Sequence, residues 1–316
     1  MKAFVLKRYG GPEAAELCDV AMPHPDAGDV LVRVHAAGLN PVDFKTREGK
    51  LRIVQRYRLP TVMGNEFAGV VEACGSGATR FKPGDRVFAR VPKDRMGAFA
   101  EYVAVPEDVL AAMPSTIDFD AAAAIPLAGL TALQALRDEL RLQPGSRVFI
   151  PGGAGGVGTF AIQIAKWLGA DEVIDYTAQS FVGRVRDMDG VFDLVGGETL
   201  DQSFGVVKRG AKVVTVVATP EPETATRDLG RGRALAALFW LASLSLRRKA
   251  RRQGAQYRFL FMHPSGAELA ELTRLVEAGR LRPIVDRVFP FGEIAEAFAY
   301  LETGRAKGKV VVRMAE

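Results

Sequence analysis

Residues 145–168 read GSRVFIPGGAGGVGTFAIQIAKWL, and this stretch decides the fold of the second half of the chain. A short apolar strand leads into the pattern G-x-G-x-x-G, whose loop residues are Gly153, Gly155, Gly156, Val157 and Gly158. Apolar residues at helical spacing follow directly. Glycines let a backbone approach a pyrophosphate, and a helix N-terminus offers N–H groups with partial positive charge. Because the motif lies between a strand and a helix, it predicts dinucleotide binding rather than a plain turn.

Strand and helix patterns alternate on both sides of this loop. Such alternation is typical of a parallel sheet covered by helices, an α/β doubly wound fold. Strands are predicted at 147–151, 171–176, 190–195, 211–218 and 257–262. These are five strands where a doubly wound sheet of this kind has about six, so one strand–helix unit is predicted to be missing.

The first third of the chain has a different pattern. Runs with a period of two and many β-branched residues predict a β-rich domain. They are VLVRVHAAG (30–38), GVVEAC (69–74), RVFARV (86–91) and AFAEYVAV (98–105). The C-terminal segments RPIVDRVFPF and GKVVVRM return to this character. The prediction is a discontinuous domain, 1–118 completed by 283–316, around a nucleotide-binding domain, 119–282, in which Asp118 is the N-cap of the first helix.

Composition excludes several functional classes. The chain has 316 residues, 48% of them apolar, and a net charge of +5 without a nucleic-acid-binding motif. Two cysteines and three histidines lack metal-ligand spacing, so neither a disulfide framework nor a metal site is predicted. The N-terminus MKAFVLKRYG has no signal or transit pattern. These features predict a protein of the reducing cytoplasm.

One apolar run, ALAALFWLASLSL (234–246), is followed by the basic run RRKARR (247–252). It is too short for a membrane-spanning helix. The favoured interpretation is a buried helix whose last cations complement its dipole. The alternative is an interfacial helix with a cationic end at a membrane surface.

The motifs together resemble the medium-chain dehydrogenase/reductase superfamily in its zinc-independent quinone oxidoreductase branch. They are AAGLNPVDFKTREG (36–49), GNEFAGVV (64–71), PGDRVFA (83–89), AAAIPLAGLTALQAL (122–136), GGAGGVG (152–158), DEVIDY (171–176), FDLVGG (192–197) and GRAKGKVVV (304–312). The apolar segment before YRFLFM is also similar to that of the mitochondrial reticulon-interacting oxidoreductases and their bacterial relatives. The resemblance implies a GroES-like catalytic domain with a Rossmann domain, NADPH as coenzyme, quinones or activated enones as substrates, and a homodimer formed through the edge strand YRFLFM or AKVVTVVA.

The resemblance also bears on zinc. Zinc-dependent relatives have Cys where this chain has Asn40 and His where it has Asn65. Amides are poor zinc ligands beside thiolate and imidazole. The structural-zinc lobe is also absent from VPKDRMGAFAEY (91–102), so no catalytic zinc is expected. Hydride addition to an already polarised acceptor suits a site without a Lewis acid.

The same resemblance implies catalytic residues. Asn40, Asp43 and Lys45 match the family stretch that lines the nicotinamide site. Asn40 or Lys45 would donate to a carbonyl oxygen, Lys45 would alternatively supply a proton, and Asp43 would fix its neighbours. Thr131 matches a helix-start threonine near the nicotinamide, although a packing role is an equal alternative. For Asn40, Asp43 and Lys45, the alternative is a polar loop whose side chains hydrogen-bond to the loop's own backbone.

For the coenzyme, Lys309 matches a basic residue close to it, and Phe261 matches a backbone contact beside the nicotinamide. Because DEVIDY follows Leu168-Gly169-Ala170 at once, it is predicted to occupy the missing position beside strand 147–151. Tyr176 matches a residue near the 2′-phosphate of NADPH. Asp175 then lies ~20 residues after the glycine loop, where a carboxylate binds the ribose 2′-OH and repels a 2′-phosphate. NADPH is favoured over NADH.

The sequence therefore predicts an NAD(P)H-dependent reductase of quinones or α,β-unsaturated carbonyls. The missing strand–helix unit keeps a second hypothesis open, that of a catalytically impaired nucleotide-binding or structural member of the same fold. Membrane-surface contact through 234–252 is a weaker third possibility.

Overall fold

The computed structural model describes residues 1–170, 183 and 185–314. The strands are β1 Lys2–Leu6, β2 Ala15–Asp19, β3 Asp29–Leu39, β4 Thr61–Val62, β5 Glu66–Cys74, β6 Arg86–Arg90, β7 Tyr102–Pro106, β8 Leu110–Ala112, β9 Val148–Phe149, β10 Met188–Asp193, β11 Val207–Thr215, β12 Gln256–Phe259, β13 Val285–Pro290 and β14 Lys309–Arg313. The α-helices are α1 Pro41–Arg47, α2 Phe119–Ala123, α3 Pro126–Leu133, α4 Gly156–Trp167, α5 Gly197–Ser203, α6 Arg233–Ala242, α7 Leu244–Arg252, α8 Gly266–Glu277 and α9 Ile294–Glu302. π-helical turns are formed by Gln134–Glu139 and Thr224–Asp228.

The chain forms two compact units. The first contains Met1–Leu130 and His263–Glu316, and the second contains Thr131–Met262. The predicted divisions lay near 118 and 282, so α2 and α8 fall in the first unit instead of the second. The hydrogen bonds of α8 explain its place, because Glu277 accepts from Ser115 and Thr273 donates to the carbonyl of Ala112.

The first unit is built on an extensive β-sheet. Its strand order is β13-β14-β3-β5-β6-β8, and β7 also pairs with β3. A smaller sheet has the order β2-β1-β4. Apolar side chains from alternate strand positions form one core, including Val32, Val34 and Phe67. Near the C-terminus, β14 pairs antiparallel with β3, and β13 pairs with β14.

The second unit contains a parallel sheet with the order β12-β11-β10-β9 among the described residues. Its core includes Phe149, Val191 and Val213. The α/β prediction is confirmed. Two segments were predicted as the edge strand of a dimer. The prediction is wrong for AKVVTVVA (211–218), because this segment forms most of β11, which lies between β10 and β12. The predicted strand 171–176 and its place beside β9 lie outside the described residues.

Helices α6 and α7 form one nearly continuous run. Hydrogen bonds from Ser243 N to Phe239 O and from Arg247 N to Ser243 O carry the helical pattern across their junction. The favoured prediction of a buried helix is wrong for α6, in which only Phe239 is buried, while Leu241 is 64% exposed. Because Phe239 is the single buried position among the ten residues of α6, most of its other apolar side chains remain accessible to solvent. Among the described helices, none has the length and apolar character needed to cross a membrane.

Candidate functional site

The glycine loop of the second unit lies where the sequence places it. It connects β9 to α4, whose N-cap is Gly155. Gly155 N donates to Gly152 O at 3.1 Å, which closes the turn. A Cβ on Gly158 would lie 2.2 Å from Gly152 O, far inside van der Waals contact. The missing side chain therefore allows the first helical turn to pack directly on the loop backbone.

This loop fits a diphosphate. The 12-residue α4 presents the N–H groups of its first turn, which includes Gly156, Val157 and Gly158, beside a backbone without side chains at Gly153 and Gly155. Such a helix N-terminus combines N–H donors with partial positive charge. The residues present thus match the chemistry of a dinucleotide pyrophosphate.

The carboxyl end of β10 lies beside this loop, and the carboxyl end of β11 lies one strand further along the sheet. Asp193, fully buried, accepts hydrogen bonds from Val195 N, Gly196 N and the Thr215 hydroxyl, and so fixes the turn after β10. The turn leaves Val195 exposed, close to Gly152, and Val217 is exposed after β11. Ligands of open α/β sheets bind outside these strand ends. We did not predict Asp193 or Val195 as site residues, although FDLVGG contained the signal.

Three further residues of the second unit were predicted to bind the coenzyme: Phe261, Asp175 and Tyr176. Phe261 follows β12, and its N–H donates to the Asp228 carboxylate at 3.1 Å. Its backbone is therefore held by the protein. Asp175 and Tyr176 lie outside the described residues.

In the first unit, five polar residues form a buried cluster that we call the Asn40–Lys309 cluster: Asn40, Asp43, Asn65, Glu66 and Lys309. Lys309 Nζ donates to Glu66 Oε1 at 2.6 Å, to Asn40 Oδ1 at 2.5 Å and to Leu39 O at 3.0 Å. The Glu66 side chain is fully buried. Two strands and a loop position these residues, since Lys309 begins β14, Glu66 begins β5 and Asn40 precedes α1.

Asn40 is held on both ends of its amide. Nδ2 donates to Glu66 Oε1 at 2.6 Å and to Gly38 O at 3.4 Å, while Oδ1 accepts from Lys309. Both amide hydrogens therefore have protein acceptors, and the residue is 3% exposed. This geometry favours a positioning role over direct donation to a substrate oxygen.

Asp43 occupies the other side of the cluster. Its carboxylate accepts from Asn40 N and from Asn65 Nδ2, each at 2.7 Å. Burial raises the pKa of Asp43 to about 7, and this outweighs the hydrogen bonds from Asn65 and Asn40, which lower it. Asp43 thus accepts from the N-cap backbone at the start of α1 and holds Asn40 in place.

Lys45 lies on α1, partly buried, and burial lowers its pKa. Thr131 is buried within α3 rather than at its start, because the helix begins at Pro126.

A second buried network, which the sequence did not reveal, lies in the second unit. We call it the Arg258 network: Arg258, Glu139, Glu221, Thr224 and Asp228. Arg258, 2% exposed on β12, donates to Glu139 at 3.1 Å, to Glu221 at 2.7 Å and to both oxygens of Asp228 at 2.6 and 2.7 Å. Glu139 and Asp228 are the last residues of the two π-helical turns.

The donor set does not fit zinc. At the two positions where zinc-dependent relatives have Cys and His, the amides of Asn40 and Asn65 are hydrogen-bonded to carboxylates, and Lys309 brings a positive charge against Glu66. Neutral amides beside an ammonium group are a poor environment for a divalent cation. In the described part of the chain, no group of three or more His, Cys, Asp and Glu side chains could hold a metal ion.

Comparison with known families matches both halves of the chain. The family described as "Alcohol dehydrogenase GroES-like domain" matches residues 26–115. The family described as "Zinc-binding dehydrogenase" matches residues 168–312.

Individual relatives cover the whole chain. The chain is 34% identical to the "NAD(P)H oxidoreductase RTN4IP1, mitochondrial" of Danio rerio over 100% of its own length and 92% of the relative's. It is 35% identical to the "NADPH-dependent alkenal/one oxidoreductase, chloroplastic" of Arabidopsis thaliana over 99% of the chain and 79% of the relative. The quinone oxidoreductase structure from Coxiella burnetii superimposes with a TM-score of 0.82 at 30% identity, covering 100% and 99% of the two chains.

The first of these alignments extends over 360 positions, against 316 residues in the chain. The Danio rerio relative therefore has positions that this chain lacks.

Proposed function

The chain belongs to the quinone oxidoreductase branch of the medium-chain dehydrogenase/reductase superfamily and is an oxidoreductase, and we propose that it transfers hydride from NADPH to quinones or α,β-unsaturated carbonyls without catalytic zinc. Its relatives include proteins named quinone oxidoreductase, NAD(P)H oxidoreductase and NADPH-dependent alkenal/one oxidoreductase. The glycine loop between β9 and α4 is the observation that carries this proposal.

The loop residues bind and orient. Gly153, Gly155 and Gly158 keep the backbone accessible, and the first turn of α4 supplies N–H donors to a diphosphate. When bound, the nicotinamide supplies the hydride. The exposed side chains of Val195 and Val217 offer apolar contact beside the loop.

In the first unit, we assign positioning roles to the Asn40–Lys309 cluster. Asp43 and Glu66 fix the Asn40 loop, and Lys309 neutralises Glu66 so that the carboxylate can remain buried. Lys45 is our candidate proton donor, because a lowered ammonium pKa makes it a stronger acid. Thr131 retains its proposed place near the nicotinamide.

The experiment compares Gly158→Ala with Gly205→Ala. A Cβ at position 158 would collide with Gly152 O, whereas at position 205 it would meet Gln202 O at an ordinary 3.5 Å. We expect Gly158→Ala to weaken NADPH binding at least tenfold in a fluorescence titration, and to lower the reduction rate of menadione and of a simple enone. Gly205→Ala should change neither. Equal binding by wild type and Gly158→Ala would contradict the proposal.

Coenzyme choice needs a separate measurement. We propose NADPH on the resemblance, while Asp175 in the second-strand position would favour NADH. Parallel titrations of wild type and Asp175→Ser with both coenzymes distinguish them: tighter NADPH binding by wild type supports our choice, and tighter NADH binding that Asp175→Ser reverses contradicts it. Metal analysis should find no stoichiometric zinc, and chelators should leave turnover unchanged.

Location and assembly are also proposals. The few cysteines support a reducing compartment, and we propose the cytoplasm, although the RTN4IP1 relatives are named as mitochondrial. We propose a homodimer through β12, the outer strand among those described. Light scattering after size exclusion measures the mass in solution.

A further inference from the structure

We propose that the continuous helical run of α6 and α7, residues 233–252, is a docking surface for an anionic lipid bilayer. We call it the α6–α7 surface. This proposal is independent of the reductase activity and rests on exposure and charge in the second unit.

The first observation is the exposed apolar half. Leu238 is 48% exposed, Trp240 46% and Leu241 64%, and these three lie within four residues of α6. A cluster of large exposed apolar side chains indicates an interaction site, whereas single exposed apolar residues are common on any protein surface. Tryptophan is also the residue type that favours the boundary between lipid headgroups and acyl chains.

The second observation is the charge of the other half. Arg233 to Arg252 contains six basic residues and no acidic residue, and five of the six lie at 247–252. Lys249 pairs with Asp201, and the Arg247 guanidinium lies 5.8 Å from the Trp240 ring centroid. Arg248, Arg251 and Arg252 are exposed.

The two halves share one face. The buried positions Phe239, Ser243 and Ala250 follow helical spacing on the side toward the protein core. Half a turn away, the same spacing aligns Leu241 with Arg248 and Arg252. The exposed stripe is therefore apolar at its N-terminal half and cationic at its C-terminal half, which is the arrangement of a helix that lies in a membrane interface.

Charge decides between a bilayer and a second copy of the chain. The stripe has no carboxylate to pair with the cations of a second α6–α7 surface, so self-association would leave them uncompensated. A bilayer with anionic lipids supplies both an apolar layer and negative headgroups. Because the exposed stripe needs both an apolar layer and negative charges, we assign it to a lipid surface.

The test is co-sedimentation of the full chain with vesicles of phosphatidylcholine alone or mixed with phosphatidylglycerol. We expect binding to the mixed vesicles only, weakened by salt. The double variant R248Q/R252Q should lose roughly thirtyfold in vesicle affinity, and L241S about tenfold. Their controls are R280Q/R305Q and I53S, which change exposed residues of the first unit and should bind as wild type.

A fluorescence measurement locates the contact. Trp167→Phe leaves Trp240 as the one tryptophan, and we expect its emission to shift to the blue and to be quenched by brominated acyl chains on mixed vesicles. Circular dichroism confirms that each variant is folded. Absence of vesicle binding, or equal loss in the control variants, would overturn the proposal. So would a lipid-independent dimer by sedimentation equilibrium that L241S dissociates, which would assign the surface to a second copy.

Discussion

Each compact unit contains a cation buried in a polar network, Lys309 in the first unit and Arg258 in the second, and these two cations are held differently. In the Asn40–Lys309 cluster, the ammonium of Lys309 meets one carboxylate, Glu66, and two neutral oxygens. In the Arg258 network, one guanidinium meets three carboxylates, those of Glu139, Glu221 and Asp228.

The difference follows from the two side chains. An ammonium group is a compact charge with three donors, and here one donor each goes to an amide, a carboxylate and a carbonyl. A guanidinium is a planar fork that can bridge several acids at once. The first arrangement orients Asn40 at the end of a motif-bearing strand, whereas the second ties both π-helical turns to β12. We infer that the first serves the site and the second chiefly holds the fold.

The strongest test of this contrast is Arg258→Met. Removing the guanidinium leaves buried carboxylates facing one another, so we expect the free energy of unfolding to fall by about 4 kcal/mol. Urea titration followed by circular dichroism measures this change. Arg209→Met, an exposed position on β11, should stay within about 0.5 kcal/mol of wild type. If the free energy of unfolding of Arg258→Met fell as little as that of Arg209→Met, the network would contribute little to the stability of the fold.

The next test is Lys309→Met, which leaves only Glu66 without its counter-charge. We expect a loss of about 3 kcal/mol in the free energy of unfolding, because Glu66 is fully buried. The double variant Lys309→Met/Glu66→Gln should lose less than the sum of the two single variants. Additive losses in this double-mutant cycle would show that the two side chains do not interact.

The same contrast explains what the sequence could predict. Strands β3, β5, β6 and β14 were predictable because their segments are rich in β-branched and other apolar residues, although β3, β6 and β14 prove to be buried at nearly every position. The glycine loop was predictable because its residue types are required by close backbone approach, as at Gly158. The resemblance singled out Asn40 and Asp43, but it implied that Asn40 donates to a substrate oxygen, whereas both ends of its amide are engaged within the protein.

The Arg258 network could not be predicted in this way. Its acids come from positions 139, 221 and 228, and no local pattern links them to an arginine inside the apolar run YRFLFM. Likewise, the apolar run of α6 has the composition of a buried helix, and only the tertiary structure reveals that Phe239 alone is covered. Engagement of both ends of the Asn40 amide also depends on Lys309, 269 residues away.

A pH-dependent test separates the clusters further. The folded-state pKa of Asp43 is raised to about 7 from 3.8, so the folded chain retains a proton that the unfolded chain has released. Stability therefore falls as pH rises between these values and levels off above them. We expect the free energy of unfolding of wild type, relative to Asp43→Asn, to decrease by about 2 kcal/mol between pH 5 and 7. A difference that is constant or increases with pH would contradict the raised pKa.

The smallest effect is expected at the rim of the Arg258 network. Arg227 is 53% exposed and also pairs with Glu139, Glu223 and Asp228. Because water screens an exposed ion pair, Arg227→Ala should cost less than about 1 kcal/mol by urea titration. Lys208→Ala, which breaks the exposed pair with Asp189, is the matched control and should cost a similar amount. If Arg227→Ala approached the loss of Arg258→Met, the three carboxylates would be neutralised jointly by both arginines, and burial of Arg258 would no longer account for the stability of the network.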